Sequence, residues 1–265
     1  MSDNYGNPNE TEVSQNLDIT RCIEEDQGID CSAVDFFETH LKELIKWAGI
    51  NSGEREKIRL VLLGLVSLTE NYFRILLSEL PKVCPLCHAF CCKVDIKFSS
   101  AAYYSGTTIS RALIDGAVFS NPSNIADETK KLTGLDVTDS SSVKSALAEF
   151  HKVCILRHAA VHSYGRLGGR NAGDLGLGHH INMMVSPSYE ALDEICGICQ
   201  NLVRSYNSFI WKAIVSRLKA KGYLVFDATP HDKQLFASLQ NIFWENSKVI
   251  ADNGRLYESF LETTS

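Results

Sequence analysis

Apolar residues recur three and four apart at Val34, Phe37, Leu41, Leu44, Ile45 and Ala48, the spacing of one buried helix face. Asn51-Ser52-Gly53 then breaks the pattern. The next run, EREKIRLVLLGLVSLTENYFRILLSEL, is apolar almost around its circumference between Leu60 and Leu68, which predicts a helix at the centre of a bundle, ended by Pro81. Further helices are predicted over residues 140–163, after Asp139 to Ser142, and over 187–221. The latter has Ser186-Pro187 as its start, Glu190, Asp193 and Glu194 near its positive end, and Lys219, Lys221 and Gly222 at its close. The spacing thus predicts four long helices, near 33–49, 54–80, 140–163 and 187–221, and an all-α fold built as a four-helix bundle.

Between these elements the pattern is weaker. Residues 84–106 read as a small irregular insertion in which KVDIKF alternates like a short strand. Helical spacing returns in SRALIDGAVF and again after Asn121-Pro122, a cap followed by a first-turn proline. Six glycines between Gly165 and Gly178 suggest a flexible connection, followed by the β-leaning INMMV. HDKQLFASLQNIFWEN predicts an extra C-terminal helix. The domain division that follows is an acidic tail over 1–30, a helical domain over 31–222 and a C-terminal helical extension over 223–265.

Charge alters how the overall acidity is read. Residues 1–30 hold eight acids against Arg21 alone, a net of −7 in a chain of −6, so the remainder stands at +1 and does not repel an anionic substrate. The first 30 residues have the composition of a disordered, solubilising tail. The start of the chain has neither the basic region nor the apolar core of a secretory signal. No unbroken apolar run reaches the roughly 20 residues of a membrane span. The expected compartment is the cytoplasm, with the nine cysteines reduced rather than paired in disulfides.

The chemistry concentrates in ALAEFHKVCILRHAAVHSYGRLGG, where Arg157, His158 and His162 interrupt a packed helix just before the glycines. On a helical wheel Arg157 and His162 project roughly 140° apart. They flank an apolar seam of Val143, Leu147, Phe150, Cys154 and Val161. If the same seam of a second copy packed there, a two-fold axis would bring both sets of side chains to one cleft. Arginine offers a fixed fork of donors to phosphate oxygens, and histidine can take or give a proton near neutral pH, so the pair suits cleavage of a phosphodiester without metal or cofactor.

The arrangement Arg157, His158, three residues, His162 resembles the Arg-x4-His motif of the HEPN superfamily. ENYFR (Glu70 to Arg74) resembles the acid-and-base helix of that family. The continuation His162, Ser163, Tyr164, Gly165 is similar to its glycine turn, and INMMVSPSYEALDEI to its closing strand and proline-started helix. The resemblance spans roughly residues 33–222 and implies a HEPN-like bundle acting as a homodimeric endoribonuclease of toxin or phage-defence type, with RNA as substrate. It implies attack of the ribose 2′-hydroxyl on the adjacent phosphate, Arg157 holding the phosphate, His162 transferring the proton, His158 assisting, and Glu70 and Arg74 in support. Tyr164 matches a position that a nucleotidyltransferase antitoxin modifies in one group of the family, so a cognate antitoxin or a sensor protein is an implied partner. The alternative is a non-catalytic HEPN module that binds RNA or protein.

Other residues admit plainer accounts. Arg166 and Arg170 could contact an RNA backbone or be ordinary surface charge. Glu70 and Arg74, one turn apart, could simply pair with each other. Cys84 and Cys87 with Cys196 and Cys199 have the spacing of two zinc half-sites, but the second pair falls inside a predicted helix, where core thiols are the simpler reading. His151, Cys154, His158 and His162 lie within about 80° on the wheel, which an ordinary polar flank explains as well as a metal. CPLCH matches a haem-attachment pattern whose chemistry requires export. The glycine-rich segment lacks the Lys-Ser/Thr ending of a phosphate-binding loop.

Overall fold

The apolar stripe of the first helix forms α1 (Ala33–Ala48), with Val34, Phe37 and Leu41 buried in a computed structural model that describes residues 16–25, 28, 31–48, 55–180, 183–227, 229–244 and 257. The chain divides into two units, Met1–Asp30 and Cys31–Ser265. In the first, Asp18 caps a single 3-10 turn, Ile19–Cys22. Residues 1–15 of the acidic tail lie outside the described residues.

In the second unit the central helix is α2 (Arg55–Val83), on which Leu62, Leu65, Val66, Leu76, Leu77 and Leu80 are inaccessible to solvent. Each such side chain contributes on the order of 1.5–3 kcal/mol by leaving water. α2 is apolar and long enough to cross a membrane by length and composition, and over half of that stretch is buried inside the fold, as suits a core helix. Pro81 does not end it. The ring sits within the last turn, and the Cys84 N–H still donates to Leu80 O at 2.9 Å.

The residues read as an insertion are helical. Pro85–Cys91 form α3, packed on α2, and Phe98–Tyr103 form α4. Of KVDIKF, residues 93–97 are the turn and extended link between them and Phe98 opens α4; among the described residues there is no strand, only a lone antiparallel bridge between Arg166 and Met184. Five alternating residues without a partner strand have no ladder to join. Of SRALIDGAVF only Ser110–Leu113 are helical, as the end of a 3-10 segment, Gly106–Leu113, and turns and irregular chain follow. α5 (Pro122–Thr133) starts at Asn121, whose side chain accepts from Ser123 N–H, and ends at Gly134, whose left-handed backbone lets the Phe90 ring lie where a Cβ would be.

α6 (Ser141–His162) carries the Arg-His motif, α7 (Gly169–Asp174) is a short helix inside the glycine-rich segment, and α8 (Tyr189–Ala220) is the longest element. Ser188, rather than Ser186, caps α8 by accepting from Ala191 N–H. α9 (Pro230–Phe243) packs on α2. The bundle is all-α: α1 lies on α2, α6 on α8, and α2 touches both α6 and α8. Glu38, buried on α1, accepts from Gln200 Nε2 at 2.8 Å and Arg204 Nη2 at 2.9 Å, tying α1 to α8.

Five of the thiols are pushed upward inside this core. Burial raises Cys91 and Cys196 to about 11, Cys199 to about 12, and Cys154 further. Cys87 rises because it donates to Cys84, whose own value falls as the acceptor. Above the ordinary thiol range, near 8.5, the unfolded chain releases protons that the folded chain retains, so stability must fall as pH rises. Each raised thiol contributes up to about 1.4 kcal/mol per pH unit. Cys84, lowered to about 7, acts oppositely between about pH 7 and 9 and offsets one of the five there. The urea midpoint under reducing conditions is therefore expected to drop between about pH 8 and 10, and Cys199→Ala to make that drop shallower; an unchanged slope would contradict the assignment.

Candidate functional site

Ser140 Oγ accepts from Val143 N–H at 3.3 Å and sets the start of α6. From there Val143, Leu147, Phe150 and Cys154 turn inward and are buried by the same chain, where α6 meets α2 and α8. The seam expected to face a second copy is thus largely internal; Val161, 44% exposed, is the one member left outside. Arg157 is half-buried, whereas His158 and His162 are exposed one turn apart, their ring centroids separated by 4.5 Å at 44°. Burial raises the Cys154 thiol most, Cys199 and then Glu70 raise it further, and Arg157 lowers it. The α2–α6 junction therefore holds an acid and a base of the expected set within electrostatic reach of one sulfur.

Glu70 and Arg74 do not pair with each other. Glu70 Oε1 accepts from Phe119 N–H at 3.1 Å, while Arg74 donates to Ile114 O at 2.9 Å and to Ala117 O, with its guanidinium 5.4 Å from the centre of the Phe119 ring. Both side chains clamp residues 114–119. They also line a groove of about 580 Å³ with Phe36, His40 and Trp47, to which α6 contributes nothing.

The chain leaving α6 is held by a residue that the motif gives no hint of. Ser163 and Gly165 N–H both donate to Ala159 O, at 3.1 and 3.0 Å, and Tyr164 takes a positive φ of 50°. Val185 N–H donates to Gly165 O at 2.7 Å, and Leu167 N–H to Met183 O at 2.8 Å. Arg59 of α2, only 8% exposed, reaches under this turn: Nε donates to Val185 O at 3.0 Å, Nη1 to Tyr164 O at 3.3 Å, and the guanidinium lies 5.6 Å from the centre of the Tyr164 ring. A Cβ on Gly165, at φ +86°, would come within 2.7 Å of Arg59 Cζ. The signal in the sequence is a lone arginine three residues before Leu62 and seven before Val66, on the face that the core covers.

Tyr164 itself is 75% exposed, and Arg166 is also on the surface. Arg170 is almost fully exposed on α7, with Asp174 Oδ2 at 4.0 Å, a contact too open and long to fix it. The glycine-rich segment is more structured than a plain linker, since α7 is followed by a 3-10 turn at Gly178–His180. Ile181 and Asn182 of INMMV lie outside the described residues. Among the described residues no group of three or more His, Cys, Asp or Glu side chains is arranged to hold a metal. Cys84 and Cys87 open α3, while Cys196 and Cys199 are buried in α8.

No protein-family model matches this chain, and neither a curated protein nor a solved structure matches it significantly.

The Arg59–Gly165 contact yields a coupling test. Gly165→Ala is expected to cost about 2–3 kcal/mol in urea unfolding, from the left-handed backbone and the displaced guanidinium together. In an Arg59→Ala background the same change should cost only about 1 kcal/mol, because the clash is gone. Equal costs in both backgrounds would show that Arg59 does not hold the turn.

Proposed function

We propose that the chain is a metal-independent endoribonuclease of HEPN type, with Arg157, His158 and His162 as its reacting groups. The observation that carries this reading is the side-by-side display of His158 and His162 on the exposed last turn of α6, with Arg157 next to His158 in the sequence. Two imidazoles at that spacing can divide the proton transfers of a transesterification between them. His162 takes the proton from a ribose 2′-hydroxyl as its oxygen bonds to phosphorus. Arg157 stabilises the added negative charge on the phosphoryl oxygens. The bond to the 5′-oxygen breaks, and that oxygen receives a proton from the second imidazole. The products are a 2′,3′-cyclic phosphate and a 5′-hydroxyl.

Arg166 and Arg170, exposed beyond the turn, are the cations this reading assigns to phosphates flanking the scissile bond. Val161, Tyr164, Met183 and Met184 are exposed and apolar or aromatic around the same turn, which favours self-association at the end of α6 rather than along its seam. A two-fold axis there would pair the histidines of two copies in a composite site. The exposed Tyr164 hydroxyl is accessible to a nucleotidyl-transferring antitoxin, in keeping with a toxin or phage-defence role. A module that only binds RNA would keep the arginines and lose nothing when the imidazoles are removed.

Purified protein incubated with total RNA in EDTA is expected to release fragments ending in cyclic phosphate. Arg157→Ala and His162→Ala should each reduce the rate by about a hundredfold to ten-thousandfold. Arg166→Ala with Arg170→Ala should mainly weaken RNA binding and flatten its salt dependence. Absence of EDTA-resistant cleavage by folded wild type, or cleavage indifferent to His162→Ala, would refute the nuclease reading.

A further inference from the structure

One face of α8 carries a pattern that the Arg-His motif does not use. Arg204, Ser208 and Lys212 recur every four residues, with Ser205 beside them, so they share one side of the helix. Together with Ser140 and Ser142, at the start of α6, they line a groove of about 610 Å³. That volume falls within the range of small-molecule sites and is far above that of a single water. α6 and α8 pack directly on each other, so the two walls are preformed.

The chemistry of this lining is one-sided. Each of its six polar side chains can donate a hydrogen bond, and no aspartate or glutamate is among them. Among the described residues the exposed Lys212 ammonium has no ion-pair or hydrogen-bond partner. Arg204 gives Nε and Nη2 to Glu38 Oε1, at 3.0 and 2.9 Å, which leaves Nη1 uncommitted. Ser140 Oγ and Ser142 Oγ lie 3.0 Å apart, so the two α6 hydroxyls are presented together. Cations and hydroxyls without a carboxylate between them suit an oxyanion. The groove is larger than an oxyanion alone, and the half-buried Phe209 ring adds an apolar patch to its serines, which fits an organic body bearing hydroxyls of its own.

We propose that this groove binds a small phosphorylated molecule with a hydroxyl-bearing body, its phosphate meeting Lys212 and the Ser140 and Ser142 hydroxyls. The site is independent of the ribonuclease reading: Ser142 and His158 are separated by about 24 Å along α6 and about 160° around it, so they face different sides of the helix. The test is calorimetric titration of the full chain in phosphate-free buffer, with ribose 5-phosphate as probe and ribose and inorganic phosphate as its two halves. Ribose 5-phosphate is expected to saturate in the millimolar range or below, to bind about tenfold more tightly than either half, and to weaken as salt is added. Lys212→Ala, at an exposed position, should weaken it about tenfold, and Lys212→Arg should restore most of the affinity. Ser142→Ala should cost about threefold to fivefold while leaving Ser140 to cap α6. Circular dichroism establishes that each variant is folded, with Ser208→Ala replacing Ser142→Ala if the latter is not. Inorganic phosphate binding as tightly as ribose 5-phosphate would reduce the groove to an adventitious anion site and overturn the assignment. Failure of ribose 5-phosphate to saturate, or undiminished affinity in Lys212→Ala, would overturn it equally.

Discussion

Irregular chain that lies against a helical bundle brings backbone N–H and C=O groups out of water, and each must find a partner or destabilise the fold. α2 answers that requirement with the few polar side chains it carries among its buried leucines. Arg59 takes the carbonyls of Tyr164 and Val185, Glu70 the amide of Phe119, and Arg74 the carbonyls of Ile114 and Ala117. These are contacts across 40 or more residues of sequence, made by one helix. Among the described residues none of the three side chains forms an ion pair, so their charges are compensated by backbone dipoles and aromatic faces. Such charge would be expensive without those partners.

The same economy shapes the exposed end of α6. A helix C-terminus leaves carbonyls unpaired, and here Ala159 O accepts from both Ser163 and Gly165 while Arg59 secures the next turn. The result is a fixed exit in which Tyr164 stands out into solvent and the His158 and His162 rings remain side by side. Groups that act together chemically need this kind of support from neighbours that do not react. Arg157, one residue before His158, is half-buried, and its charge slightly offsets the rise that burial imposes on the Cys154 thiol. One helix turn thereby carries a half-buried guanidinium and an exposed pair of imidazoles.

The long helices were legible because three or more turns of a single apolar period leave little choice of face: residues 33–48, 55–83, 141–162 and 189–220 all follow from it, as does the cap at Asn121. What failed was short. KVDIKF alternates over too few residues to separate a strand from a link, and Pro81 reads as a stop although a proline in the final turn can leave the next hydrogen bond intact. At Ser186-Pro187-Ser188 two caps compete, and the serine after the proline wins because Ala191 N–H lies three residues on. At the candidate site the wheel could not tell which neighbour would cover the strip between Arg157 and His162. That depended on α2 and α8 closing over Phe150 and Cys154, a tertiary outcome.

Glu70 and Arg74 carry the most general point. Their spacing invites an intrahelical pair, which at an exposed site would contribute only about 0.2–0.5 kcal/mol. Each instead binds the backbone of residues 114–119, where charged donors and acceptors are worth more per contact. The stretch from α3 to Phe119 is consequently integrated with the bundle: α3 packs on α2 and α5, Phe90 fills the space over Gly134, and Arg217 of α8 lies over Phe90 while donating to Thr133 O at 2.7 Å. A segment joined at so many points cannot shift without disturbing α2, and α2 in turn holds the exit of α6 through Arg59. The irregular part of the fold and the exposed histidines are thus mechanically linked through one helix, although neither touches the other.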